Sequence, residues 1–345
     1  MLPPDFCHQK YREFNLDLLH LSDAQLEQHW LNHGQLEGMR YSGPSRFELL
    51  LAGKGKAERG LEIAPYFRPI APKAQGYNVQ TVDVFDRQTL LQHANEDPEI
   101  PREMIASIED VDFVGSAGDL RQLIGEQIPA GGLEYILSSH NFEHLPNPLR
   151  FLQDCEHYLS PTGVLSMAIP DLRCCYDFFQ WPTMLEEWLM ADIRGQRQPS
   201  AFEVFRATCR LANNFGSLHY PLPQIALRTD LLATFQELLV DASSEDAGDY
   251  RDVHRSFFTP SSFRLLLAEL QYLGLTGLEI RQLTGPIGNE FIVHLAPAAA
   301  QQTWVAPEEF GRQRRELLFA TFDEISLKSP RQRAAVESQP TDALS

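Results

Sequence analysis

The sequence predicts an α/β fold: a seven-stranded, mostly parallel sheet with helices on both faces, a helical cap insert and a small N-terminal helical module. Three observations carry this. From Gly60 onward, short apolar runs alternate with helical stretches, a pattern that builds a parallel sheet covered on both sides. The alternation stops between Pro170 and Thr259, in a stretch holding Phe178, Phe179, Trp181, Trp188, Phe202, Phe205 and Phe215. That is too aromatic for a disordered linker. The last two apolar runs are then joined by a short turn around Gly285-Pro286, which makes the final pair antiparallel.

Residues 1–44 form the helical module. Leu16, Leu18, Leu19 and Leu21 make an apolar cluster, and Ser22 with Gln25 makes a capping box. Leu26, Trp30 and Leu31 continue the apolar face until Gly34 can end the helix. Tyr41-Ser42-Gly43-Pro44 reads as a linker. In the main domain, 45–300, strands are expected at Gly60–Ala64, Tyr77–Asp83, Val111–Val114, Leu133–Ser138, Gly163–Ile169, Thr276–Gln282 and Asn289–Ala296. Helical patterns such as Pro148–Leu159 and Ser261–Leu273 lie between them. The insert, 170–258, is expected to cap the carboxyl edge of the sheet. Residues 301–345 hold an amphipathic helix at Pro307–Ile325 and a polar tail, Ser329–Ser345, expected to be disordered.

Composition narrows the partners. The 345 residues carry 47 acidic and 29 basic side chains, a formal net charge of -18. Such a surface repels phosphate backbones and anionic lipid, so nucleic acid is excluded as a default partner. No apolar run reaches the length of a membrane span. The N-terminus has no apolar h-region, and the five cysteines include no CxxC pair. Reduced thiols, a cytoplasmic location and no metal site are therefore expected.

Two motif groups carry chemistry. Gly60-Leu61-Glu62-Ile63-Ala64-Pro65 is an apolar strand running into a tight loop, and a second strand ends in Asp83, 21 residues after Glu62. In nucleoside-binding sheets a carboxylate at that place accepts bonds from both ribose hydroxyls. It is equally the end of an ordinary strand. The second group is Ser138-Ser139-His140-Asn141-Phe142-Glu143-His144-Leu145-Pro146-Asn147-Pro148, then Leu159-Ser160-Pro161-Thr162-Gly163 and Pro170-Asp171.

This second group resembles the S-H-x-x-E-H-x-P-x-P … L-x-P-x-G … P-D run of class I S-adenosylmethionine-dependent methyltransferases, at fixed spacing across more than 30 residues. Leu61–Pro65 with Arg68-Pro69-Ile70 resembles the opening of one bacterial subgroup, and His254–Phe263 its closing helix signature. The likeness runs from about Gly60 to Ala296 and implies a Rossmann-like sheet with S-adenosylmethionine as cofactor. One departure stands out: Ala64 occupies a place where the family uses glycine.

By that resemblance, Glu62, Ala64 and Pro65 form the methionine end of the cofactor site, and Asp83 holds the ribose. Asp119 and Leu120 face the adenine, and Ser139 borders the sulfonium. His140, following the fourth strand, is the first choice of general base. Asp171, with Arg173, sits where acceptor groups bind. His144, His219 and His254 are further candidate bases, and Tyr220 could line the acceptor pocket with His219. Glu143 reads equally well as a first-turn helix acid.

A third pattern is N-terminal: Tyr11, Asn15-Leu16-Asp17-Leu18, His29, His33-Gly34 and Glu37-Gly38-Met39-Arg40. It resembles a short helical module found beside bacterial glycosyltransferases. His29 and His33 stand at i, i+4 without a visible third ligand, which favours packing over metal binding. The combined expectation is O-methylation of a sugar or glycan-assembly intermediate in polysaccharide biosynthesis, with glycosyltransferase-type proteins as partners. The alternatives are a non-catalytic scaffold on the same fold, motivated by Ala64, and a small-molecule methyltransferase.

Overall fold

The computed structural model describes residues 1–14, 18, 21–35, 41–213, 224–243, 252–299 and 305–328. In front lie α1 (His8–Phe14) and α2 (Asp23–His29). Ser22 and Gln25 close the expected capping box, and the helix passes through one wider turn, Trp30–Gly34. Tyr11, Leu18, Leu26 and Trp30 form this module's own small core. Leu16 and Leu19 lie outside the described residues.

The main domain then runs α3 (Arg46–Leu51), β1 (Gly60–Ile63), β2 (Val79–Asp83), α4 (Arg87–Glu96), α5 (Arg102–Ile105), β3 (Phe113–Val114), α6 (Leu120–Ile124), β4 (Leu133–Ser139), α7 (Pro148–Tyr158) and β5 (Leu159–Pro170). The insert contributes α8 (Leu185–Ile193), α9 (Ala201–Thr208) and α10 (Leu231–Ser243). Helix α11 (Pro260–Tyr272), β6 (Leu278–Ile287), β7 (Glu290–Pro297) and α12 (Pro307–Ser326) complete the chain. All seven expected strands are present. The tail from 329 and the pair His219-Tyr220 lie outside the described residues.

The sheet has the order β3-β2-β1-β4-β5-β7-β6, with β7 antiparallel to β5 and β6. This is the doubly wound order, reversing direction between β1 and β4, with a seventh, antiparallel strand slipped in beside β5. The central strands are apolar on both faces, as buried parallel strands are. In β5, Leu165, Met167 and Ile169 face the layer of α7 and α11, whereas Ala168 faces the layer of α3. In β7, Phe291, Val293 and Leu295 divide from Ile292 in the same way. One substitution of these apolar residues by a polar one would strand it in a dry layer, at about 2–4 kcal/mol.

The hairpin corrects one expectation. The chain does not reverse at Gly285-Pro286, which lie inside β6 at a register shift; it reverses at Gly288-Asn289, between the paired Ile287 and Glu290. A two-residue hairpin needs a positive φ, and Gly288 supplies it at 59°. The shift places Glu290 at the first position of β7, level with Pro170 at the end of β5.

The insert leaves and returns at one point. Asp171 bridges Phe258, and the Leu172 amide donates to the Phe258 carbonyl at 2.8 Å. On the other side of the sheet's end, α12 packs on α11 through a stacked Tyr272–Phe310 pair and an Arg314–Glu269 ion pair at 2.6 Å. Among the described residues no helix is long and apolar enough to cross a membrane.

Candidate active site

The carboxyl ends of β1, β2 and β3 form one half of the site. Glu62, near the end of β1, is buried, and its two carboxylate oxygens accept from the amides of Ile70 and Ala71 at 2.6 and 3.0 Å. It therefore shapes the loop that follows β1. Burial pushes its carboxyl up to about 7, against those two hydrogen bonds. Asp83 closes β2, is buried, and accepts from the Phe85 amide at 3.2 Å. Burial raises it to about 6, again against backbone donors.

Between them the loop is strained. Ala64 has φ 50° and Tyr66 φ 44°. For a residue with a Cβ this costs about 1–2 kcal/mol. The Ala64 amide is nonetheless tied to the sheet, donating to the Val82 carbonyl at 2.8 Å. Ala64, Tyr66 and His140 are three of the four non-glycine residues with positive φ among the described residues, and all three follow the ends of β1 and β4. Strain held in this way gathers at ligand sites.

The third carboxylate of this half, Asp119, opens α6. It is ion-paired with Arg150 at 2.8 Å and with Arg197 of the insert at 3.4 Å. Together with Ser116, Gly118, Pro146 and Asn147 these residues line a small cleft of about 220 Å³. Leu120 is fully buried beneath it.

The other half lies past β4, β5 and β7. The loop 139–144 is anchored by Phe142, whose ring packs on Phe151, Trp188, Phe258 and Phe263 with centroids 5.6–6.1 Å away. The insert grips the same loop, since the amides of Arg255 and Ser256 donate to the Glu143 carbonyl at 2.8 and 3.1 Å. Around this anchor runs a chain of charges. Arg46 of α3 makes a two-point pair with Glu290, at 2.6 and 2.9 Å, and donates to the Ser139 hydroxyl at 2.6 Å. His140 Nε2 donates to Glu290 at 2.7 Å, and its Nδ1 lies 3.4 Å from Glu143.

These contacts decide the charge of His140. Burial alone would lower it, but Glu143 and Glu290 outweigh that and lift it to about 9. For Glu290, burial is outweighed by Arg46 and His140, which hold it at about 2. His140 is thus an imidazolium at neutral pH with both nitrogens turned to carboxylates. An imidazolium has no lone pair to offer, so the base role expected of His140 requires that it first lose a proton. Asp171 is corrected. It is fully buried and bound twice by the Arg173 guanidinium, at 2.9 and 2.5 Å, so it anchors the start of the insert. Ser139 is already held by Arg46.

Arg46 and Glu290 were missed by sequence reasoning. They stand 244 residues apart, and only the register of the β6–β7 hairpin brings them together. Glu143, His144 and His254 also converge, which the sequence did not indicate; the ring nitrogens of His144 and His254 approach Glu143 Oε1 at 3.7 and 3.8 Å. In the N-terminal module, His29 accepts or donates with the Tyr11 hydroxyl at 2.9 Å and stacks near His33, a packing arrangement.

Residues 48–217 match the family of methyltransferase domains. The match takes in β1–β5 and the first half of the insert. Over those residues the chain carries a methyltransferase domain. No curated relative matches it in sequence. Among solved structures it is similar to the PH0226 protein of Pyrococcus horikoshii OT3, at 13% identity over 80% of this chain and 92% of that one, with a TM-score of 0.37. It is similar to the methyltransferase CcbJ of Streptomyces caelestis, at 10% identity over 72% and 93%, TM-score 0.37. It is also similar to the trans-methyltransferase CalH in complex with SAH, at 12% identity over 73% of this chain and 55% of that one, TM-score 0.35.

The methyltransferase domain fits its cofactor by this chain's own features. A strained loop follows β1, a buried carboxylate ends β2, and a cleft lies beside Asp119. S-adenosylmethionine supplies an activated methyl on a sulfonium, so the protein's part is to orient the acceptor and exclude water.

Proposed function

We propose that this methyltransferase acts on a hydroxyl of a sugar or glycan-assembly intermediate. The observation that carries the reading is the polar character of the acceptor side: Arg46, Ser139, His140 and Glu290 form a linked row of hydrogen-bonding groups where the transferred methyl must arrive. A polyhydroxylated acceptor is recognised by such groups, whereas an apolar aromatic acceptor asks for apolar walls. The N-terminal module, similar to one that accompanies glycosyltransferases, supports the same substrate class.

In this reading Asp83 holds the ribose, and the loop from Ala64 to Pro65, shaped by Glu62, receives the methionine end. The pocket beside Asp119 and Leu120 takes the adenine. Arg46 orients acceptor oxygens through its remaining guanidinium N–H groups, and His140 holds Glu290 against Arg46. His140 is then a positioning residue, and the hydroxyl proton leaves to solvent. The partners remain glycosyltransferase-type proteins in the cytoplasm, reached through residues 1–44.

The test is methyl transfer from labelled S-adenosylmethionine to nucleotide sugars and to lipid-linked or capsule-type glycan fractions. Label in a carbohydrate fraction, lost in Asp83→Ala, is the expected result. Label confined to non-carbohydrate small molecules would move the substrate class. Cofactor binding without transfer to any fraction would favour the scaffold, for which the strain at Ala64 is the motivating observation.

A further inference from the structure

Glu143 presents an electrostatic problem that the methyl-transfer reading leaves unsolved. Its side chain is fully buried, yet neither carboxylate oxygen has a hydrogen-bond partner among the described residues. A buried carboxylate without partners is costly and is normally explained by hydrogen bonds, a counter-charge or a metal. The charged His140 stands 3.4 Å from Oε1 as a counter-charge, and two further imidazoles, His144 at 3.7 Å and His254 at 3.8 Å, surround the same oxygen.

We propose that Glu143, His144 and His254 form a binding site for one divalent transition-metal ion, which clamps the insert onto the loop after β4. One ligand atom from each of the three lies within 4.8 Å of the others. Ligands about 2.0–2.1 Å from a tetrahedral ion stand about 3.4 Å from one another. The separations from Glu143 Oε1 to the two imidazoles, 3.7 and 3.8 Å, need to close by only a few tenths of an ångström. Two imidazoles with one carboxylate suit zinc, cobalt, manganese or iron, and not calcium or magnesium.

The surroundings are those of metal-binding histidines. A ligating histidine turns its other ring nitrogen to a carboxylate, which fixes the ring and its tautomer. His254 does so here, with Nδ1 bonded to Asp177 at 2.6 Å, and His144 Nδ1 lies 2.7 Å from the Asp252 carboxylate. The Tyr176 hydroxyl hydrogen-bonds His254 Nε2 at 2.6 Å, a bond that a metal ion on that nitrogen displaces. His140 also faces Glu143 through Nδ1, but its Nε2 is committed to Glu290, and as an imidazolium it has no lone pair for a metal. Two of the ligands come from the loop after β4, while His254, Tyr176 and Asp177 come from the two ends of the insert. The ion therefore bridges them without touching the cofactor half.

The experiment uses the full chain, stripped with chelator and titrated separately with Zn²⁺ and Co²⁺. One equivalent should bind, with visible ligand-field absorption for Co²⁺ and a raised melting temperature for Zn²⁺. Glu143→Gln and His144→Ala should each weaken binding at least tenfold, and Asp177→Asn by about 10–100-fold. The double variant His29→Ala/His33→Ala should bind as the parent does. The proposal is overturned by absence of one-equivalent binding, or by binding that survives both Glu143→Gln and His144→Ala. It is equally overturned by binding lost only in the His29/His33 variant. Should Glu143→Gln fail to fold, the partly exposed His144 still decides the outcome.

Discussion

The two halves of the site are held together by different means. The cofactor half, at β1–β3, is built locally. Glu62 binds amides eight and nine residues on, Asp83 binds one two residues on, and strain sits in the loop itself. The acceptor half, at β4, β5 and β7, is built across the chain. Arg46 meets Glu290 over 244 residues, His140 meets Glu290 over 150, and His254 meets Asp177 over 77. Local construction makes the first half depend on backbone conformation. Distant construction makes the second depend on balanced charge, and damage to the two should look different.

The sharpest way to break the second half is Glu290→Ala. It leaves Arg46 and His140 facing each other without the carboxylate between them, and breaking a buried pair on one side costs about 3–5 kcal/mol. Because Arg46 and His140 are both partly exposed, the lower end is expected. Urea unfolding should show a lowered midpoint at unchanged slope. S-adenosylhomocysteine affinity should hardly change in the protein that remains folded; a large loss there would mean that the halves are not separable.

The corresponding change in the first half is Asp83→Ala. Under the proposed role of Asp83 as ribose acceptor, its removal forfeits about 3 kcal/mol of charge-assisted hydrogen bonding, roughly 100-fold in affinity. Calorimetry with S-adenosylhomocysteine measures it, with little change in stability expected, because Asp83 is destabilised by its own burial. Unchanged affinity would remove Asp83 from the cofactor site.

This contrast also explains what could be read from the sequence. All seven strands, the insert and the cofactor half follow from short-range patterns: Glu62 and Asp83 end apolar runs, and the Ser139–Asp171 motif has fixed spacing. The acceptor half does not follow from such patterns. The base role expected of His140 turns on a charge set by Glu290, and Glu290 reaches it only through the Gly288-Asn289 turn and the register of β7. Asp171 failed because Arg173, two residues on, curls back onto it, whereas adjacent charges in a sequence carry no sign of whether they pair with each other or with a ligand. Glu143, His144 and His254 converge because the insert returns beside β5, a path that no local pattern encodes.

Proton linkage separates the halves by pH. Glu62 and Asp83 are raised by burial from 4.5 to about 7 and from 3.8 to about 6. Between the unfolded and folded values the native state holds more protons than the unfolded one. The contribution to stability is therefore complete below about pH 4 and is lost as pH rises through 6 and 7. Ribose hydroxyls, however, need the ionised Asp83 as acceptor. Raising pH from 5.5 to 7.5 should thus strengthen S-adenosylhomocysteine binding several-fold, and the melting-temperature increase on adding it should grow over the same interval. The opposite trend would show that Asp83 binds the cofactor as a neutral acid or does not bind it.

The smallest expected effect is also the most direct probe of the loop. Ala64 holds a left-handed conformation that costs a residue with a Cβ about 1–2 kcal/mol. Glycine removes that cost but returns entropy to the unfolded chain, about 0.4–1 kcal/mol in the other direction. Ala64→Gly should therefore stabilise the protein by about 0.5–1 kcal/mol, seen as a small rise in melting temperature. If the Ala64 methyl merely strains the loop, S-adenosylhomocysteine affinity stays the same; if it also crowds the methionine end, affinity rises with stability. A fall in stability would mean that the loop relaxes to negative φ in solution, and the strain argument for the cofactor half would then fail while the charge argument for the acceptor half stood.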